Sequence, residues 1–315
     1  MRTRPLSSFS AGEMKPLLET EAAHWRSELL WDYSDVSAAV AAGLARRSLA
    51  GRVIEAEGSP VAYCYFIQES GRAVVGSLFA APEARGLGCE QTLLDAVLDE
   101  AMSDLENSRV ECQTLFSTAP DVDLCFARAG FRSLERHYLV RDLREELPAA
   151  PPASGLRRLR RDDLGQAADI IYRSHRGSLD AAVNLTYGTL SHCRGFVDTL
   201  TLRGGCGSFD SEASLVAESA EGPSGVLLAS RLSSRTGHVC QVSVLPGAQQ
   251  RGLGTALVVA ALHAFKRQGL LNASLSVTVD NAAAHRLYTR LGFRLRKRFA
   301  AHAWVRPPLR LELPA

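Results

Sequence analysis

The tetrapeptide Arg85-Gly86-Leu87-Gly88 returns as Arg251-Gly252-Leu253-Gly254, 166 positions later, and Ala129-Gly130-Phe131-Arg132 has its counterpart in Leu291-Gly292-Phe293-Arg294, 162 positions later. Two matches in the same order at nearly equal offset point to one architecture used twice. A chain of 315 residues accommodates this, at about 150 residues per domain. Between the copies runs Leu147-Pro148-Ala149-Ala150-Pro151-Pro152-Ala153-Ser154-Gly155, whose three prolines cannot continue a helix or a central strand. The expected organisation is therefore a first domain over 1–147, a Pro/Ala-rich linker over 148–155 and a second domain over 156–315.

The segments around each repeat agree in type. In the second half, 213–217, 225–232 and 238–244 read as short strands, separated by the turn-forming runs 221–224 and 233–237. Leu257, Ala260, Ala261, Ala264 and Phe265 recur at helical spacing and predict a helix over 255–268, stopped by Gly269. A strand over 275–279 follows, then a helix over about 282–291 capped by Asp280 or Asn281 and ended by Gly292. In the first half, strands over 52–56, 61–67 and 72–79 lead to Gly86-Leu87-Gly88 and a helix over about 89–102. A strand meander followed by strand–helix–strand–helix gives an α/β (α+β) sheet in each half.

Composition narrows the function classes. Lys and Arg exceed Asp and Glu by 36 − 34 = 2, so no polyanion such as nucleic acid is expected as partner. The Arg-rich run 156–161 reads as a strand and a helix start, with Asp162 or Asp163 capping and the arginines solvated. No run of 18 apolar residues exists and the first residues lack an apolar signal segment, so a cytoplasmic protein with no membrane partner is expected. The seven cysteines (64, 89, 112, 125, 193, 206, 240) are odd in number and contain no C-x-x-C pair, which predicts reduced thiols and no metal site.

Gln249-Gln250-Arg251-Gly252-Leu253-Gly254-Thr255 sits between a strand and a helix, where glycines let backbone N–H groups converge on an anion such as a pyrophosphate. No Gly-Lys-Ser/Thr follows, which excludes a P-loop, and Leu257 stands where a dinucleotide fingerprint needs a third small residue. Val244-Leu245-Pro246-Gly247-Ala248-Gln249-Gln250-Arg251-Gly252-Leu253-Gly254, followed by Asn281-Ala282-Ala283-Ala284-His285-Arg286-Leu287-Tyr288-Thr289-Arg290-Leu291-Gly292-Phe293, resembles the GNAT N-acetyltransferase superfamily. The first segment matches its acyl-coenzyme A signature, Q/R-x-x-G-x-G/A, and the second its N-x-x-A-x-x-L-Y-x-x-x-G-F pattern. The match is strong over about 156–305, and the first half looks like a weaker copy, so the whole chain resembles tandem GNAT proteins.

The resemblance implies two tandem acyl-CoA N-acyltransferase folds, each a mixed, mainly antiparallel sheet flanked by helices. A V-shaped opening between the fourth and fifth strands would hold acetyl-CoA as acyl donor. The signature begins at Gln249, and the amides of Gln250, Arg251, Gly252, Leu253, Gly254 and Thr255 would hold the pyrophosphate. The backbone of Val242 and Val244 would hold the pantetheine arm, Asn281 would touch the coenzyme, and Tyr288 would sit near its sulfur.

Acetyl transfer to an amine by direct attack needs no nucleophilic side chain. It needs a proton for the departing thiolate, and a tyrosine hydroxyl with a pKa of about 10 can supply one, which makes Tyr288 the expected acid. Several family members carry a glutamate base eleven residues before the signature Gln, where this chain has His238. A neutral imidazole at that position is a candidate base, against a plain strand-end histidine exposed at the turn. His285 reads as a solvated helix residue and Cys240 as a small buried one.

The first half departs from the pattern. Glu83 replaces the signature Gln/Arg, placing a carboxylate near the pyrophosphate position, and Phe126 stands where the second half has Tyr288. Asp121 and Asp123 lie near the place of Asn281, and Cys89 reads as a packing residue rather than a reactive thiol. This half is expected to be a degenerate copy that supports the second. The leading expectation is an N-acetyltransferase acting on a small-molecule or peptide amine, as a monomer or homodimer. The alternative is a non-catalytic acyl-CoA binding or sensing module, and a third reading follows tandem GNAT enzymes of thiol biosynthesis. The acceptor would be set by residues 170–199, where Arg173, His175, Arg176, Tyr187 and His192 are available.

Overall fold

The computed structural model describes residues 1–69, 71–116, 120–150, 155–202 and 206–307. The chain forms two compact units. Unit 1 comprises Met1–Glu21, Ser34–Leu134 and Phe299–Ala315, and unit 2 comprises Ala22–Tyr33 and Glu135–Arg298. These bodies differ from the halves 1–147 and 156–315 expected from the linker. The difference has one physical cause: the last strand of each half completes the sheet of the other unit. Part of the linker, residues 151–154, lies outside the described residues.

The first half of the chain contains β1 (Arg2–Pro5), α1 (Ala11–Leu29), α2 (Ser34–Ala45), β2 (Ala50–Ala56), β3 (Ser59–Glu69), β4 (Arg72–Ala80), α3 (Cys89–Ser103), β5 (Arg109–Gln113), α4 (Pro120–Arg128) and β6 (Arg132–Asp142). The second contains β7 (Leu156–Arg158), α5 (Leu164–His175), α6 (Leu179–Val183), α7 (Leu190–Leu202), β8 (Ser208–Phe209), β9 (Leu215–Ser219), β10 (Gly222–Ser233), β11 (Thr236–Val244), α8 (Leu253–Arg267), β12 (Asn272–Thr278), α9 (Ala282–Arg290) and β13 (Arg294–Val305). The predicted elements are present, with ends shifted by up to three residues. No described helix is long and apolar enough to cross a membrane.

Unit 1 has the strand order β1-β2-β3-β4-β5-β13, with Ala301–Val305 of β13 antiparallel to β5. Unit 2 has the order β6-β12-β11-β10-β9-β7, with Arg136–Asp142 of β6 antiparallel to β12 and β8 paired with β10. Each sheet has the same plan, since β4–β5 and β11–β12 are parallel and the other described pairings are antiparallel. The repeat also extends to an irregularity. Leu228 faces Gln241 and Ala229 faces Val239, leaving Cys240 as an extra residue in β11. Tyr65 faces Ser77 and Phe66 faces Val75, leaving Gly76 extra in β4.

Helix α8 carries the core of unit 2. Leu257, Val258, Ala261, Leu262, Ala264 and Phe265 fall on one face and are buried against β10 and β11. Each large side chain among them contributes about 1.5–3 kcal/mol by leaving water. Gly237 of β11 makes room for the Phe265 ring, because a Cβ there would lie 2.6 Å from it. On the opposite face of the sheet, Ala167, Ala168, Ile170 and Ile171 of α5 pack with Cys193, Val197 and Leu200 of α7. The basic run behaves largely as expected: Asp163 accepts from the Arg160 backbone N–H, and Arg160 and Arg161 are exposed. Arg157 is the exception, held half-buried between Asp163 at 2.6 Å and Glu218 at 2.7 Å.

Candidate functional site

The parallel ladder between β11 and β12 runs from Thr236–Asn272 to Val239–Leu275 and stops there. Beyond it, Gln241–Val244 remain paired to β10 on one side only, while Ser276–Thr278 remain paired to β6. The two strands part, and beyond Val239 the side of β11 toward the gap has no strand partner among the described residues. The extra residue Cys240 decides which side chains face which way. In a regular strand of the same sequence, Gln241 would follow Val239 toward α8; with the bulge, Val239, Val242 and Val244 pack on the α8 side while Gln241 faces α5 and its neighbours. Val242 and Val244 thus line the parting strand, half-buried.

The glycine turn opens α8. Gln250 and Gly252 hold φ of 61° and 82°, and Gly252 is the helix N-cap with no side chain capping it. The first N–H groups of α8, from Leu253, Gly254 and Thr255, therefore face outward without a side-chain acceptor, with the positive end of the helix dipole behind them. A Cβ on Gly252 would meet nothing within 4 Å, so the space above the turn is open. Gln249 turns back to donate to the Val244 carbonyl at 3.0 Å, and Gln249, Gln250 and Arg251 are exposed. A groove of about 510 Å³ adjoins the turn, lined by Gln166, Arg173, Glu221 and Arg251 among others.

Asn281 caps α9, its Oδ1 accepting from the Ala284 N–H at 3.1 Å. That cap orients Tyr288 two turns on, half-buried beside Phe293 with ring centroids 5.8 Å apart. Burial, and then the nearby Asp180 carboxylate, push the Tyr288 hydroxyl up to about 12. It stays protonated across the neutral range.

Residues that the sequence offered only as available come together where β11 and β12 part. The Tyr187 hydroxyl donates to Gln241 Oε1 at 2.9 Å, and the Tyr187 ring stacks on His175 at 4.0 Å. His175 Nδ1 lies 3.0 Å from the Ile171 carbonyl, which assigns the ring proton to Nδ1 and turns the Nε2 lone pair toward Gln241 Nε2, 3.5 Å away. Desolvation lowers the His175 pKa, opposed by the Ile171 hydrogen bond and by Asp180, so the ring is neutral at pH 7. Asp180 of α6 accepts from Thr278 Oγ1 at the end of β12. Asp180 was missed in the sequence because no local pattern marks it; only the fold carries α6 to the end of β12. Arg173, Arg176 and His192 are exposed and outside this cluster.

His238 occupies a different environment from either sequence reading. It is 7% exposed rather than at an open strand end, its Nδ1 lies 2.9 Å from Ser274 Oγ, and burial, reinforced by the positive Arg136, lowers its pKa to about 4. Cys206 and Cys240 lie beside it. His285 is half-buried and bonded to His137 at 3.0 Å, not simply solvated, and Cys240 is half-buried.

Unit 1 repeats the splay but not the rest of the site. The β4–β5 ladder ends at Val75–Cys112. Helix α3 starts at Cys89, two positions later than α8 by the repeat alignment, because Gly88 adopts φ 74°. Glu83 is exposed beside this turn. The Cys89 thiol, pushed up mainly by burial, contacts the Met1 sulfur at 3.4 Å. Phe126 is fully buried and stacks on His302 at 3.7 Å, so a closed aromatic core stands where unit 2 has Tyr288. The Asp121 side chain lies outside the described residues, and Asp123 is 3.9 Å from His302. All seven thiols are free of disulfides.

Comparison with known proteins agrees with this geometry. Residues 193–293 match the acetyltransferase (GNAT) family. A mycothiol acetyltransferase from Actinosynnema mirum is 32% identical over 168 residues, and one from Gordonia bronchialis is 29% identical over 242. These matches cover 53% and 70% of this chain, and the chain spans about half (54%) of the first relative's length and 76% of the second's. In structure, a tandem GNAT protein from the clavulanic acid biosynthesis pathway superposes with a TM-score of 0.61 over 98% of this chain and 99% of its own, at 14% identity. That likeness is one of fold. The signature at Gln249–Gly254 lies within the stretch that matches the family, so this chain carries an acetyltransferase (GNAT) family domain over residues 193–293.

Proposed function

We propose that unit 2 transfers the acetyl group of acetyl-CoA to a primary amine by direct attack in a ternary complex, and that unit 1 is a degenerate copy without coenzyme chemistry. The parting of β11 from β12 beside the uncapped start of α8 carries this reading. The helix start offers converging N–H groups for a pyrophosphate, and the open β11 edge at Val242–Val244 offers backbone partners for the amides of a pantetheine arm. Tyr288, protonated at neutral pH, supplies a proton to the leaving thiolate.

On the acceptor side, Asp180 and the neutral His175 are better disposed than His238. Asp180 attracts a cationic ammonium to the splay, and the His175 Nε2 lone pair accepts the proton that makes the amine nucleophilic. His238 is buried behind Ser274 and has no comparable exposure. The relatives named mycothiol acetyltransferase motivate including their amine substrate in any acceptor panel.

The test follows free coenzyme A release across a panel of amines for the wild type and Tyr288→Phe. Turnover by the wild type on at least one amine is expected, with Tyr288→Phe slower by roughly 10²–10⁴-fold and coenzyme affinity little changed. Ligand-induced stabilisation without turnover on any amine identifies a binding or sensing module instead. A Tyr288→Phe protein with wild-type kcat, where chemistry limits the rate, makes Tyr288 a packing residue.

A further inference from the structure

Behind the β11 bulge, three ligand-type groups distant in sequence meet. One sulfur each from Cys206 and Cys240 and a ring nitrogen of His238 lie within 4.8 Å of one another, the one such group found among the described residues. The fold builds this place deliberately. Gly207 turns the chain at φ 70°, where a Cβ would strike the Arg231 carbonyl at 2.2 Å, and so brings Cys206 up to the sheet. Phe209 of β8 then pairs with Ser230 of β10, which pairs with His238 of β11. Cys240, two residues beyond His238 in the same strand, points to the same face, with its sulfur 3.1 Å from Ser230 Oγ.

The donor set is chemically coherent. Ser274 Oγ lies 3.3 Å from the Gly237 carbonyl and 2.9 Å from His238 Nδ1. With its proton directed at the carbonyl, the hydroxyl accepts from Nδ1–H, which leaves Nε2 with the lone pair. An imidazole oriented in this way through its other nitrogen is how a histidine ligand is commonly prepared.

We propose that Cys206, His238 and Cys240 form a zinc site, with Ser230 Oγ or a water in the fourth position. Two thiolates and one imidazole favour Zn²⁺ over hard cations such as Mg²⁺ or Ca²⁺. Zn–S and Zn–N bonds of about 2.3 and 2.0 Å around a tetrahedral ion place the donor atoms about 3.5–3.8 Å apart, so the longest separation in the present group closes by at most about 1.3 Å. Binding releases one proton from each thiol, so the bound ion and the two thiolates are together neutral. The ion would tie the segment after α7 to the bulge that aims Gln241. This proposal does not depend on the transferase reading. The spacing Cys206…His238-x-Cys240 contains no C-x-x-C pair, which is why the sequence predicted no metal.

The test uses the full chain, stripped with chelator under reducing conditions and titrated with Zn²⁺ and, separately, Co²⁺. The expected result is one ion per chain, a thiolate-to-cobalt charge-transfer band with the strong visible absorption of tetrahedral Co²⁺, and protection of Cys206 and Cys240 from alkylation read by mass spectrometry. Cys206→Ser and Cys240→Ser should each weaken Zn²⁺ binding by more than about tenfold, and Ser274→Ala by about 10–100-fold. Cys193→Ser, at a buried thiol on α7, should leave it unchanged. Thiol protection is measured on the wild type, so a variant that fails to fold does not blunt the test. Substoichiometric metal, equal alkylation with and without Zn²⁺, or a Cys206–Cys240 disulfide that forms in air while the reduced chain binds no metal would each overturn the proposal.

Discussion

The hydroxyl of Tyr187 donates to Gln241 Oε1 at 2.9 Å, and Gln241 in turn donates through Nε2 to Ser243 Oγ at 2.9 Å. A residue following α6 is thereby fastened to the strand whose bulge turned Gln241 toward it. Tyr187→Phe keeps the stacking on His175 and removes the donor, leaving a buried amide oxygen without that partner. A loss of about 1–3 kcal/mol in urea unfolding is expected. If the cluster receives the acceptor, its KM rises while coenzyme affinity stays within about twofold, less than the tenfold that 1.4 kcal/mol would give. Unchanged stability and unchanged KM together would show that this hydrogen bond neither holds the fold nor shapes the acceptor site.

The two glycine turns should behave differently. Gly254 lies at a φ that any residue can adopt, and a Cβ there meets Leu287 at an ordinary 3.6 Å. Gly254→Val should therefore fold, yet its branched side chain crowds the first amides of α8 and should lower acetyl-CoA affinity at least about tenfold, or 1.4 kcal/mol. Gly88→Ala places a side chain at φ 74° and costs roughly 1–2 kcal/mol of stability, but should leave affinity near wild type. Calorimetry on both variants decides the matter, and the reverse pattern would assign the coenzyme to unit 1.

Acid should weaken unit 1 through His302. The ring is fully buried, bonded to Ser133 Oγ at 2.7 Å and Thr114 Oγ1 at 3.2 Å, and burial lowers its pKa from 6.5 to about 4. The unfolded chain then binds the proton more readily than the folded one. This contribution is complete above about pH 6.5, declines as the pH falls toward 4, and amounts to roughly 3 kcal/mol. Unfolding free energies of the wild type and His302→Gln, measured between pH 7 and 4, should converge as the pH drops. Parallel curves would remove His302 as the source.

A cut at the linker should fail. A fragment over 154–315 lacks Arg136–Asp142, the residues of β6 that pair with all seven residues of β12, so an edge meant to be covered is laid open. Aggregation or loss of cooperative unfolding is expected, by light scattering and thermal denaturation. A soluble, monomeric, cooperatively folding fragment would show that β6 is dispensable to unit 2.

The sequence by itself determined the elements, the repeat and the turn. Apolar spacing at Leu257, Ala261, Ala264 and Phe265 marked a helix, Asp280 or Asn281 marked a cap that the structure gives to Asn281, and Gly252 and Gly254 marked the turn before α8, because each of these depends on neighbours a few residues away. Family resemblance pointed to Tyr288 on the same local grounds. The tertiary structure decided what depends on distant pairing. It sent β6 to β12 and β13 to β5, against the boundary that the prolines suggested. A one-residue bulge at Cys240, invisible as a pattern, turned Gln241 toward Tyr187 and His175. The same packing buried His238 with Cys206 and brought Asp180 to Thr278, 98 residues away. Local backbone preference and periodicity act within a turn or two of chain, whereas burial and the meeting of side chains are set by sheet register, which no short stretch of sequence contains.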